Sequence, residues 1–404
     1  MKAFTIEPNR KTKQLAKLLG GDVYIVGGFV RNALLGKKCD DEDLCSAYTL
    51  ADLEKKLEGS EFSLKNKNKS FGTCKIVCGD KSYDYATFRK EEYVKGHCPE
   101  HVEFVKELEV DANRRDFTIN AIYYNLKTGE ILDPFNGFGD LQDKRIRAIN
   151  QDILKDDGLR ILRMLRLAGE YGFNIEFHTL KAAQANIQNI NDLSKAKITE
   201  ELTKLLTRTT NKGAVKAIKL YNRLGVWKRI GLDFTIVKPR MVGKCEDKFI
   251  GFLIDIVDTV NPASVSYYLS HICENAGFTK KQFVKIINVI SGYYDALNHM
   301  RNKQYFFKYF DNFQDIYKIL AKKSKIVAQK YNFFYKYIIS HKLVIRKSDL
   351  KISEKDLKKH FPSMPEKMYE SVLMEALSDV FDGRCPNDAS ELIKDIGKHH
   401  YHKF

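Results

Sequence analysis

Asp41 and Asp43 stand two residues apart, just beyond the basic pair Lys37-Lys38. On an extended strand, residues i and i+2 face the same side, so two carboxylates at that spacing can share one cation. Upstream, Gly27-Gly28 closes a β-branched and aromatic run, Val23 to Val26, and Arg31 follows shortly after. A turn without side chains admits a phosphate close to the backbone, a guanidinium partners that phosphate, and paired carboxylates supply hard oxygen ligands. This is the equipment needed to hold a nucleoside triphosphate with Mg²⁺. Singly, each part is weak, since Gly-Gly also makes ordinary turns and Asp-x-Asp is also plain surface charge. Their order and spacing carry the signal.

The elements that must position these groups follow from pattern. Val23 to Val26 reads as a buried strand, and Phe29, Val30, Ala33 and Leu34 recur at helical spacing until Gly36 stops the helix. Ala51 to Leu57 suggests a short helix. Phe71 to Arg89 reads as a hairpin turning at Gly79-Asp80. Asp84 falls in its second strand, either as a third carboxylate beside Asp41 and Asp43 or as a solvent-facing strand residue. Lys90 to His101 is expected to be a polar loop. Arg114, Arg115 and Asp116 then lead into an apolar run ending at Tyr124, which fits phosphate and ribose contacts or an ordinary charged helix start.

From about Asp152 the pattern turns helical. Leu159, Leu162, Leu165 and Ala168 make an apolar stripe, accompanied by Arg160, Arg163 and Arg166. Such a helix is also what a solvated basic face looks like. Asp157 and Arg160 sit one turn apart on it, and a carboxylate only accepts hydrogen bonds whereas a guanidinium only donates. Cytosine and adenine each offer an amino donor beside a ring acceptor, so the pair complements both. Guanine and uracil present a carbonyl and a ring N–H there, and each mispaired buried group costs about 1–3 kcal/mol. Further on, Tyr305 to Leu320 interleaves aromatics with lysines, a pattern for stacking on RNA bases or for a helix core with a basic outer face.

Composition bounds the rest. The chain has 404 residues, 44% hydrophobic and 30% charged, enough for several globular domains. A net charge of +16 points to a polyanion. Nucleic acid is expected rather than a membrane, because no run approaches the ~18 apolar residues of a spanning helix. Eight scattered cysteines lack zinc-like spacing and read as packing thiols, and the first residues carry no apolar leader, so a cytoplasmic protein is expected. His399, His400 and His402 read as a frayed terminus.

Together these segments resemble the N-terminal signature of polymerase-β-type nucleotidyltransferases. They are most similar to the bacterial-type (class II) family of CCA-adding tRNA nucleotidyltransferases and poly(A) polymerases. The likeness runs through DYATFR (to Arg89), Arg114, Arg115, Asp116, Asn120 and Ala121, and the Asp156, Asp157, Arg160 element. It is strongest over 23–173 and looser from 240 onward.

The resemblance implies an α+β protein: a small mixed-sheet head over residues 1–146, then a helical neck (147–213), body (214–300) and RNA-binding tail (301–404). It implies template-independent addition of CCA to the tRNA 3′ end from CTP and ATP, with Mg²⁺ as cofactor and no obligate protein partner. Asp41, Asp43 and Asp84 would be catalytic, with Asp41 and Asp43 as metal ligands. Gly27, Gly28, Arg31, Arg115, Asp116, Asp157, Arg160, Arg163 and Arg166 would contact the nucleotide. Five positions depart from the usual pattern: Asn32 stands for an Asp, Asp156 for a Glu, His97-Cys98 for loop arginines and Lys197 for an Arg.

Overall fold

A computed structural model describes residues 6–39, 41–93, 99–231, 235–236, 238–260, 269–270, 272, 279–299 and 303–400. His97 and Cys98 lie outside the described residues. The chain divides into two compact units, one of residues 1–243 with 251–276, the other of 244–250 with 277–404.

The first unit opens with helix α1 (Arg10–Leu19), capped by the Asn9 side chain and ended by left-handed Gly20. Strand β1 (Val23–Val26) is buried on both faces, as its unbroken apolar run requires. Helix α2 (Gly28–Leu34) follows, then β2 (Asp43–Ser46) and α3 (Leu50–Leu57), which begins with a Thr49/Asp52 capping box. Strands β3 (Ser63–Asn68), β4 (Thr73–Cys78) and β5 (Lys81–Thr87) complete one side of the sheet, and β8 (Tyr123–Asn125) and β9 (Ile131–Leu132) the other. The order is β3-β4-β5-β2-β1-β8-β9, with β2 and β5 parallel and the remaining pairs antiparallel. The expected mixed-sheet head and its hairpin are present.

Two local expectations need correction. Asp43 is the first residue of β2 and Asp41 precedes it, so the two do not share a strand. Lys90 to His101 is not simply a loop: β6 (Arg89–Glu92) pairs antiparallel with β7 (His101–Phe104). β6 (RKEE) is charged throughout and shows no apolar alternation, and β7 (HVEF) alternates polar with apolar residues over only four positions, too short a run to mark a strand.

Helices α4 (Leu108–Asn113), α5 (Gly137–Gln142) and α6 (Ile153–Asp156) lead to α7 (Gly158–Tyr171). Here β10 (Arg145–Ile146) pairs parallel with β11 (Asn174–Ile175), a short exception within otherwise helical surroundings. Then come α8 (Phe177–Ala185), α9 (Lys195–Arg208) and α10 (Asn211–Leu224). Helix α7 packs on α9 and α10. It is not a half-solvated helix: Ile161, Leu162, Met164, Leu165, Leu167 and Ala168 are buried, and so are Arg160 and Arg166. Gly169 of α7 and Gly213 of α10 meet backbone to backbone, since a Cβ on Gly213 would lie 2.3 Å from the Gly169 carbonyl oxygen.

The second unit is helical among its described residues. Its aromatics largely pack on one another, with Phe313 stacked 3.7 Å from Tyr335 and 4.6 Å from Tyr331. The stretch from Tyr305 to Leu320 is two helices joined by a 3-10 turn at Phe310–Asn312. A separate core gathers Leu357, Val372, Leu377 and Leu392. The last helix runs Ala389–His400, with the His399 ring 3.6 Å from the Asp395 carboxylate, and His402 lies outside the described residues. Among the described residues, no helix is long and apolar enough to cross a membrane.

Candidate active site

The parallel register pairs Leu44 with Tyr85, and one step back along both strands sets Asp43 beside Asp84. They line a cleft of about 430 Å³ together with Lys75, Arg89, Arg114 and Arg115. Gly27, at φ 79° and ψ −130°, adopts a backbone conformation open to glycine alone, and a Cβ there would lie 3.6 Å from Asp43 Oδ2. The turn thus passes directly by the carboxylate. Burial first, then the charges of Asp41 and Asp84, push the Asp43 carboxyl up to about 6. Asp84 is more exposed and its Oδ1 accepts from Lys75 Nζ at 2.6 Å.

Crowded anions at a cleft that also carries cations form a donor set that suits a hard divalent ion. The carboxylates are neighbours rather than a closed shell, for among the described residues no three acidic, His or Cys side chains converge on one point.

Behind the cleft stands Asp111, wholly buried on α4. It accepts from Arg114 Nε at 2.8 Å, Arg115 Nη2 at 2.9 Å and Tyr123 Oη at 2.9 Å. Burial opposes its charge, but the Arg115 and Arg114 guanidinia outweigh burial and hold the carboxyl at about 2. Both arginines therefore keep fixed positions at the cleft wall. Glu91 of β6 pairs with Arg89 at 2.7 Å and Arg114 at 3.2 Å, and accepts from Tyr93 Oη at 2.7 Å.

Tyr93 Oη in turn accepts from Arg160 Nη2 at 3.2 Å, and its ring faces the Arg160 guanidinium at 5.3 Å. Arg160 also donates to the carbonyls of Ile153 and Arg114, both at 3.0 Å. Asp157 caps α7, accepting from Leu159 N at 2.8 Å, and its Oδ2 lies 4.0 Å from Arg160 Nε. The cap requires Gly158, because a Cβ there would meet the Asn189 carbonyl oxygen at 2.4 Å.

Two family models match the chain. Residues 23–147 match the "Poly A polymerase head domain", and 172–230 match the "Probable RNA and SrmB- binding site of polymerase A". The CCA-adding enzyme of Lactobacillus delbrueckii subsp. bulgaricus is 35% identical over 201 residues, 49% of each chain. That of Staphylococcus aureus is 32% identical over 221 residues, 53% of this chain and 54% of the other. The chain thus spans about half the length of these relatives. Among solved structures, the Bacillus stearothermophilus CCA-adding enzyme in complex with CTP aligns with a TM-score of 0.78 at 20% identity, covering 100% of this chain and 99% of that one. The Thermotoga maritima enzyme complexed with tRNA_CCA aligns at 0.61 and 21%, covering 97% and 96%. The α+β architecture, a mixed-sheet head followed by helices, is the fold of these enzymes.

Within the head, Asp43, Asp84 and Arg115 meet at one cleft, with Gly27 against Asp43. Gly28 lies beside Arg31, whose Nη2 would be 3.5 Å from a Cβ there. Arg31 is buried and donates to Asn120 Oδ1, and its Nε has no partner among the described residues. Asp116 accepts from Asn120 at 2.9 Å and Arg163 at 3.0 Å, so it is an interior linker. Arg166 is bonded to Glu201 and Glu170, each at 2.7 Å, which leaves it a structural ion pair between α7 and α9. Asp111, Glu91 and Tyr93 went unnoticed in the sequence. Asp111 was findable, being three and four residues before Arg114 and Arg115 at helical pairing distance. Glu91 and Tyr93 carry no comparable local signal.

Proposed function

We propose that the protein adds CCA to the 3′ end of tRNA without a template, using CTP and ATP and releasing pyrophosphate. The observation that supports this most is the meeting of Asp43 and Asp84, from distant parts of the chain, in one cleft with Arg114 and Arg115 beside the Gly27 turn. Asp41 and Asp43 would hold Mg²⁺, with Asp84 completing the ligand set. When bound, that ion supplies Lewis acidity and charge neutralisation at the phosphates.

The tRNA 3′-hydroxyl oxygen bonds to the α-phosphorus as the bond to the β-phosphate oxygen breaks, and the hydroxyl proton leaves toward Asp84. Gly27 and Gly28 let the triphosphate approach the backbone, and Arg31 and Arg115 orient it. Asp157 and Arg160 choose cytosine and adenine by edge complementarity, and Asp116, Arg163 and Arg166 brace the helix that carries them. The division into head, neck, body and tail, with the tail gripping the acceptor stem by phosphates and shape, belongs to the same reading. So does a cytoplasmic site of action.

The test uses three tRNA transcripts, ending at the discriminator base, at C and at CC, each with CTP, ATP or both. Addition of CCA to the first, stopping after one A, is the expected result. Use of only the CC-ended transcript makes it an A-adding enzyme, and a stop after two C makes it CC-adding. Long A tracts on unrelated RNA would reassign it as a poly(A) polymerase. Salt-sensitive binding with no incorporation would make it a non-catalytic clamp.

A further inference from the structure

Tyr171, the last residue of α7, reaches back to the helix that follows the Gly27-Gly28 turn. Its hydroxyl accepts from Arg31 Nη2 at 2.7 Å and donates to Asn32 Oδ1 at 2.7 Å. Its ring also faces two cations, Arg31 Cζ at 4.7 Å and Lys37 Nζ at 4.4 Å. A second link joins the same two helices. Arg31 donates to Asn120, Asn120 to Asp116, and Arg163 of α7 to Asp116.

Arg31 is only 8% exposed. Among the described residues it bonds the neutral Asn120 and Tyr171 side chains and has no ion-pair partner, and its Nε has no partner at all. A buried guanidinium held this way has few restraints, so losing one leaves it free to swing. Asn32 explains the arrangement. An amide cannot neutralise the neighbouring guanidinium, and its oxygen takes the tyrosine proton while the tyrosine oxygen takes the arginine proton.

We infer that Tyr171 is a positioning residue for nucleotide binding: it fixes Arg31 beside Gly28 and ties α2 to the far end of the base-selecting helix. The inference rests on the reading of Arg31 as a triphosphate contact. Tyr171 itself touches no substrate in this scheme; it acts through Arg31.

The experiment measures CTP binding to the full chain by calorimetry, which needs no turnover, alongside KM and kcat for CTP and ATP on tRNA. Tyr171→Phe keeps the ring and removes the hydroxyl. CTP affinity is expected to fall about five- to tenfold and both KM values to rise equally, with kcat within about twofold, as for loss of one ordinary hydrogen bond felt through Arg31. Adding Asn32→Asp to Tyr171→Phe places a carboxylate next to Arg31 and should restore most of the affinity. An unchanged CTP affinity in Tyr171→Phe overturns the inference, as does a double variant no better than the single one. Wild-type chain that binds CTP but adds nothing to tRNA defeats the functional reading while leaving the binding comparison decisive for Tyr171.

Discussion

Asp157 Oδ2 and Arg160 Nε stand 4.0 Å apart at the first turn of α7, while the Arg160 Nη atoms are bonded to two backbone carbonyls and Tyr93. Arg160 is thus held by the protein itself, and in the proposed function Asp157 across the turn would be the acceptor half of an acceptor–donor edge. Asp157→Asn separates capping from base choice. Asparagine caps a helix about as well as aspartate, so thermal stability should stay within ~0.5 kcal/mol. One acceptor becomes a donor, which suits uracil and guanine, so discrimination against UTP and GTP should fall about tenfold. Misincorporation measured with single nucleotides checks this, and an unchanged CTP-to-UTP ratio would remove Asp157 from base selection.

Asp43, the carboxylate the proposed chemistry would use, opposes folding when ionised. Its carboxyl titrates near 6 in the fold against an ordinary value of 3.8, so the folded protein keeps a proton there that the unfolded chain releases. With a chelator present, stability should therefore fall as pH rises from about 4 through 6 and stay lowered above that. Asp43→Asn should flatten this segment, raise neutral-pH stability by about 1–3 kcal/mol, and cut nucleotide addition about 10³-fold or more. Urea midpoints at pH 4.5 and 7.5 for both proteins check the first part. Equal slopes in wild type and variant would refute it.

Much of the head was legible because its signals are local. A β-branched run ending in Gly27-Gly28, and the Gly79-Asp80 hairpin, specify structure within a few residues. Asp84 could be placed on a strand, but its arrival beside Asp43 depends on the parallel pairing of β2 with β5, which no spacing encodes. The short β6–β7 sheet left little signal because β6 is charged on both faces and the alternation in β7 spans only four residues. On α7 the arginines looked like a wet face, whereas Arg166 is buried by Glu201 from another helix. Sequence position reveals which residue types are available, but long-range partners decide which are buried.

Asp111 illustrates the same dependence in energetic terms. Its carboxyl, at about 2 in the fold against 3.8 ordinarily, stabilises the protein fully above about pH 4, and that contribution fades as pH falls toward 2. Asp111→Asn leaves Arg114 and Arg115 without their shared anion and should cost about 3 kcal/mol at pH 7. At pH 2.5 the gap between wild type and variant should narrow, because the wild-type carboxyl is then partly protonated. Urea titrations at the two pH values measure both numbers. A gap that is constant with pH would mean packing, not charge, is lost.

Two glycines at opposite ends of α7 allow geometry and stability to be told apart. At Gly158 a Cβ would lie 2.4 Å from the Asn189 carbonyl oxygen and 2.9 Å from Ile190 N, both backbone atoms that cannot step aside cheaply. Gly158→Ala must therefore push the first turn of α7 off its neighbour, at about 1–3 kcal/mol, and Asp157 moves with it. At Gly172, φ is 72° and nothing lies within 4 Å, so Gly172→Ala meets only left-handed backbone strain of about 1–2 kcal/mol. The two variants should lose similar stability. Only Gly158→Ala should misincorporate UTP and GTP, because only there does the strain displace Asp157, the residue proposed to select the base. If both variants select bases as the wild type does, the first turn of α7 does not set the choice. If both misincorporate, selection depends on the stability of the whole helix, and the placement of Asp157 by its cap is not what matters.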